Sequence, residues 1–216
     1  SKKEIITTIN NFKIPLLLFQ NFARSMIYDI HNNGFKTFKD FLYYSEGASV
    51  APASVFVHLS CLNQENGDYV TPSFDVIEVA RPCAIFSYIV HIIRDFQKDQ
   101  HNNLNYFALD ILKKNRLSPV DLRRIADGAA IPDSFRSVIR EYYSRAGYYN
   151  DKTKEELEKL KTKISPRYLL GLKIIHCLYL QIFDRIDVDK GNFSAEELNP
   201  TPMELKERVL KVITDK

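Results

Sequence analysis

The chain has 216 residues, 45% hydrophobic and 26% charged, which excludes a disordered chain and an integral membrane protein and suffices to bury a core without disulfides. Lys+Arg number 30 against Asp+Glu 27, a net charge of +3, too small to imply a nucleic-acid partner. With 7 glycines against 12 tyrosines and 14 phenylalanines, the composition argues against glycine-rich nucleotide loops and an all-β chain, and for a large aromatic interior.

Helical periodicity begins almost at once. Lys3 to Phe12 reads as a short amphipathic helix, and Pro15 opens a second from Leu16 to His31, closed by Asn32, Asn33 and Gly34. Thr37 is an N-cap for Phe38 to Tyr44, which runs on toward Glu46. The small-residue run Gly47 to Ser54 then interrupts or kinks the helix before Val55 to Leu62. Asn63 to Pro72 reads as a polar loop containing Asn-Gly-Asp. From Ser73 a long apolar helix runs to about Gln100, with a kink or break expected at Pro82.

Further helices are expected over Leu104 to Lys114, Ser118 to Ala129 and Asp133 to Tyr149, then over a solvated, charged Lys152 to Lys163. Arg167 to about Asp187, capped by Ser165-Pro166, and Met203 to Ile213 complete the series. No segment keeps a period of two for long, so the class is all-α. Cys61, Cys83 and Cys177 lack metal-ligand spacing and read as reduced core residues of an intracellular protein.

One feature stands out chemically. Counting in fours along the apolar helix gives His91, Asp95 and Asp99, with Tyr88 three residues earlier and Arg94 and Lys98 beside them. These stack along one helix face. Carboxylates next to a hydrophobic helix core are costly unless compensated, and two of them one turn apart can hold a hard divalent cation that shares phosphate oxygens. The plainer reading is that Asp95 and Asp99 only end a buried helix with surface partners. A transition-metal site on His91, Asp95 and Asp99 is a third reading.

The stretch Ala80 to Asp99, ARPCAIFSYIVHIIRDFQKD, resembles the second aspartate-rich motif of the squalene/phytoene synthase family, QxxNIxRDxxxD, with Ile92, Arg94, Asp95 and Asp99 matching. Met26 to Ile30 is similar to that family's MxxDL stretch. Thr37 to Tyr44 with the small run after it is similar to its TFxELxxYC segment, and Leu178 to Phe183 to its last core helix. Tyr106 falls where the family has a tyrosine shortly after the motif.

The resemblance implies an all-α, isoprenoid-synthase-like single helical domain, residues 1–216, around an apolar cavity. It implies head-to-head condensation of two allylic isoprenyl diphosphates, of squalene or phytoene type. Asp95 and Asp99 would bind Mg²⁺, and His91, Arg94 and Lys98 would take the diphosphate. Tyr44, Ala48 and Tyr106 would line the prenyl cavity, with Tyr88 and Asp29 as further substrate-binding candidates. NADPH enters if the product is squalene. A cytoplasmic location is expected, with peripheral membrane contact through Pro15 to Ile30 as a weaker idea, since that face reads more readily as core.

Two departures mark the chain. Tyr88 and His91 replace the family's glutamine and asparagine, and Asn103-Leu104 stands where a glycine-arginine pair is usual. The first aspartate motif is expected N-terminal of Ser1, so by resemblance the chain is N-terminally incomplete; Asp151 to Glu155 has the spacing but lies in a solvated stretch. These departures carry the alternative, a non-catalytic prenyl-lipid-binding or assembly protein.

Overall fold

The computed structural model describes residues 1–214. The helices are α1 (Lys2–Asn11), α2 (Leu16–His31), α3 (Phe38–Ser45), α4 (Ala51–Ser60), α5 (Val76–Arg94), α6 (Phe96–His101), α7 (Leu109–Lys114), α8 (Pro119–Ala126), α9 (Asp133–Leu160), α10 (Pro166–Phe183), α11 (Ala195–Leu198) and α12 (Pro202–Thr214). A π-helical turn, Glu46–Val50, joins α3 to α4. Strands β1 (Asn63–Glu65) and β2 (Asp68–Val70) pair antiparallel as a hairpin.

The start signals read from the sequence act locally. Thr37 and Ser118 each form a capping box, with Asp40 and Asp121 respectively, and Pro119 stands in the first turn of α8. The expected polar loop is the hairpin. Asn66 (φ 52°) and Gly67 (φ 90°) supply the two left-handed residues its tight turn requires. Asp133 to Tyr149 and Lys152 to Lys163 merge into the single helix α9, because no glycine or proline separates them; Asn150, at the junction, is buried and faces His176 Nε2 at 2.7 Å.

The long helix also breaks elsewhere than expected. Pro82 lies inside α5 without ending it. The carbonyl its missing N–H would have engaged belongs to Glu78, an exposed residue that water reaches. The interruption falls at Asp95 instead (φ −93°, ψ 8°), between α5 and α6. Of the expected helix Leu104 to Lys114, only Leu109–Lys114 forms. Before it the backbone turns around Asn105, whose Oδ1 accepts from Phe107 N at 3.1 Å.

Helix α5 is the centre of the molecule. Phe86, Ile89, Val90, Ile92 and Ile93 are fully buried, and α5 packs against α4, α9, α10 and the π turn. Among the described residues it is the one helix long and apolar enough to cross a membrane, and it is this core helix. The main core gathers Phe35, Phe41, Phe96, Phe107, Phe135 and Tyr142, as the aromatic composition leads one to expect.

Helix α2 differs from expectation. Its buried residues are Leu18 and Ser25 alone, while Leu16, Phe19, Ala23, Ile27 and Ile30 recur at helical spacing on a face left open. That outer stripe is therefore not core among the described residues.

The π turn is seated tightly. A side chain at Gly47 would overlap the Asn21 carbonyl and Ser25 Oγ of α2. Ser25 Oγ donates to Tyr44 O at 2.8 Å, Ser49 Oγ donates to Ala84 O at 2.9 Å, and Arg81 Nε donates to Glu46 Oε1 at 2.7 Å. The turn is thus clamped between α2 and α5. Replacing Gly47 by Ala forces those helices apart and is expected to cost about 1–3 kcal/mol, read as a lowered urea midpoint at unchanged slope.

Candidate active site

Asp95 caps the apolar run of α5 and is buried. A carboxylate in that position needs a cation, and Arg94 supplies a forked one: Nε lies 2.7 Å from Oδ1 and Nη2 3.0 Å from Oδ2. His91 Nε2 lies 2.6 Å from the same Oδ2. Arg94 Nη2 is also 3.1 Å from His91 Nδ1. Arginine only donates, so Nδ1 accepts and the ring of a neutral His91 carries its proton on Nε2, facing the carboxylate. Burial lowers the His91 pKa, against the pull of Asp95 and with the help of Arg94 and Lys98. For Asp95, burial acts to raise the pKa, but Arg94, His91 and Lys98 outweigh it and hold the carboxyl below its usual range.

Asp99 is in the opposite state. Its N–H bonds to Asp95 O at 2.8 Å, so the one-turn spacing survives the helix break. Its carboxylate accepts no hydrogen bond among the described residues. Burial first, and the neighbouring Asp95 second, push its pKa up to about 6. Lys98 is exposed beside both carboxylates.

A tyrosine cluster adjoins this end of α5. Tyr44 Oη donates to Asp29 Oδ2 at 2.8 Å. The Tyr44 and Tyr88 rings lie 6.2 Å apart, Tyr88 and Tyr106 6.1 Å, and Tyr28 and Tyr44 5.5 Å. Burial raises the pKa of Tyr44, Tyr88 and Tyr106, and the charge of Asp29 acts on all three in the same direction, so they stay protonated. Tyr106 also feels Asp99. The cluster therefore spans from Asp29 on α2 to Asp99 on α6. It brings together Asp29, Tyr44, Tyr88, Tyr106 and Asp99, which lie up to 77 residues apart in sequence.

An apolar cavity of about 240 Å³ lies between α4, α5, α9 and α10, with Ala53, Ala80, Cys83, Ser87, Leu172 and Tyr179 in its wall. The residues expected to line a prenyl cavity do not line this one. Tyr44 faces a separate cleft between α2 and α3, Tyr106 stands in the tyrosine cluster, and Ala48 packs onto the main core while its neighbour Ser49 reaches the cavity. Cys83 and Ser87 line the cavity, and counting back in fours from Asp95 through His91 reaches both. Tyr179, in the cavity wall and close enough to act on the charge of Arg94, carried no local signal.

Mg²⁺ is the cation that the resemblance of the motif implies. Two hard oxygen ligands one turn apart, one of them with an unengaged carboxylate, suit it. No group of three His, Cys, Asp or Glu side chains able to hold a metal occurs among the described residues, so remaining positions would fall to phosphate oxygens and water. Asp99 and Asp95 fit the ion on those terms, Asp95 once parted from Arg94.

The raised pKa of Asp99 has a consequence for stability. The folded chain holds this proton more tightly than the unfolded chain, whose aspartates titrate near 3.9. The contribution is fully present below about pH 4 and is lost as pH rises through about 6. Asp99→Asn is expected to stabilise the chain at pH 7.5 by about 1 kcal/mol after allowance for solvent screening. The advantage vanishes near pH 4, as paired denaturation curves will read.

The profile of the squalene/phytoene synthase family matches residues 3–204. The fold superposes on the crystal structure of squalene synthase HpnC from Alicyclobacillus acidocaldarius with a TM-score of 0.70 at 16% identity, covering 92% of this chain and 66% of that one. A dehydrosqualene synthase crystallised with a ligand gives 0.71 at 12% identity, covering 96% and 68%. The chain thus spans about two thirds of the length of these structures. No curated protein matches it in sequence. With an all-α fold of the squalene synthase kind and a family match over nearly its whole length, the chain belongs to the squalene/phytoene synthase family.

Proposed function

We propose that the chain carries one carboxylate pair and the prenyl cavity of a head-to-head prenyltransferase that takes allylic isoprenyl diphosphates, of squalene or phytoene type. The observation behind this reading is the succession of cavity and carboxylates along α5. Cys83 and Ser87 line the apolar cavity, and His91 and then Asp95 and Asp99, at the break into α6, follow at steps of four residues. Cys83 and Asp95 are about 18 Å apart along that axis, a span that suits an amphiphile with an anionic head and an extended hydrocarbon tail.

Arg94, His91 and Lys98 would engage the diphosphate, and Asp95 and Asp99 would hold the Mg²⁺. Once bound, the ion neutralises the leaving diphosphate as a Lewis acid. Tyr88, Tyr106 and Tyr44 keep their protons, so they offer hydrogen-bond donors and neutral ring faces rather than phenolates that would capture a cation. Ring faces of this kind stabilise positive charge. The apolar cavity wall excludes water that would quench it.

A second reading keeps the fold as a prenyl-lipid-binding or assembly protein without turnover. Both oxygens of Asp95 engaged by Arg94 and His91 favour it. Incubation of the full-length protein with farnesyl or geranylgeranyl diphosphate and Mg²⁺ separates the two. Turnover predicts diphosphate release, reduced about 10²–10³-fold in Asp95→Asn and Asp99→Asn. Binding without release, indifferent to Asp95→Asn, refutes the transferase reading.

A further inference from the structure

Within the carboxylate end, charge is distributed unevenly. Both cationic or donating groups closest to the site converge on one carboxylate: Arg94 through two nitrogens and His91 through Nε2 reach Asp95, while Asp99, one turn on, has neither. Arg94 is bound to His91 as well, so Arg94, His91 and Asp95 close a triangle. The Arg94 and Asp95 side chains are only 19% and 12% exposed, so their pairing is shielded from screening. Tyr179, from α10, and Lys98 and Asp99, from α6, are the other charged or titratable groups acting on it.

A guanidinium holds one planar anion at a time through a given pair of N–H groups. Keeping Asp95 and a diphosphate on the same fork would set two anions side by side with one positive charge between them. We infer that Arg94 is a latch on Asp95: it occupies the carboxylate in the free chain, and an arriving diphosphate draws it off and so frees Asp95 for the metal. Arg94 is then a positioning residue for the metal ligand as well as a contact for the anion, and anion and metal bind with positive coupling. This rests on the reading of the site given above.

The test measures each ligand by itself, because free diphosphate also chelates metal. Binding of inorganic diphosphate in the presence of EDTA is followed by calorimetry, and binding of Mn²⁺ alone by loss of its free electron-spin signal. The latch predicts effects of opposite sign. Arg94→Gln weakens diphosphate about tenfold and tightens Mn²⁺ about fivefold. Asp95→Asn tightens diphosphate about fivefold, because the fork is released, and Asp95→Asn with Arg94→Gln loses the gain in Mn²⁺ affinity. A merely structural role would weaken both ligands together. Wild-type protein that binds no diphosphate overturns the reading of the site and the latch with it. Wild-type protein that binds diphosphate, with Mn²⁺ affinity unchanged or lowered in Arg94→Gln, overturns the latch alone. Should Arg94→Gln fail to fold, as its melting curve would show, the Asp95→Asn arm decides: unchanged or weaker diphosphate binding overturns the latch.

Discussion

A carboxylate at the end of a fully buried helix must find positive charge or give up its own. Helix α5 is apolar through Ile93, and Asp95 follows it inside the protein. Leaving that charge unpaired would cost several kcal/mol, and the chain meets the demand locally, with Arg94 next to it and His91 one turn back. Asp99 has no such forked partner, and burial, with the charge of Asp95 beside it, raises its pKa to about 6. Two carboxylates of identical chemistry thereby acquire different states, one ionised and paired, the other protonatable and open. The helix break at Asp95 belongs to the same solution, since it sets the pair at the rim of the core rather than inside it.

The rest of the architecture serves to bring distant groups to that rim. The π turn is wedged between α2 and α5, where Gly47 permits backbone contact. Its clamping by Glu46, Ser25 and Ser49 sets where Tyr44 ends, beside Asp29 and Tyr88. The irregular segment before α7 is held by Asn105 and by Tyr142, whose Oη accepts from Ala108 N at 2.8 Å, and it delivers Tyr106 to the same cluster. Each tyrosine arrives from a different element, and each is kept protonated by burial and by negative charge nearby. An aromatic, uncharged lining around a carboxylate pair results from packing that also forms the core.

Much was legible in the amino acids alone where the signal is local. Thr37 and Ser118 as caps, the limits of α2 and the register of His91, Asp95 and Asp99 follow from patterns a few residues long. The errors fall where a distant neighbour decides. Pro82 stays inside its helix, the residue whose carbonyl it leaves unpaired being exposed, and the break falls at Asp95. The apolar stripe of α2 cannot be told from core by periodicity, which reports amphipathicity but not which face is covered. The hairpin at Asn66-Gly67 did carry a local signal, and its strands are too short to show a period of two.

What the sequence by itself determined is the linear chemistry of α5 and α6: an apolar helix followed by two carboxylates one turn apart, since helical spacing follows from backbone geometry alone. Only the tertiary structure decided what those helices meet. It placed the tyrosines of α3 and the Asn105 segment beside the carboxylates and laid the cavity along Cys83 and Ser87. Those assignments depend on burial and on side chains brought together from far along the chain, and neither is encoded at the spacing of a single helix.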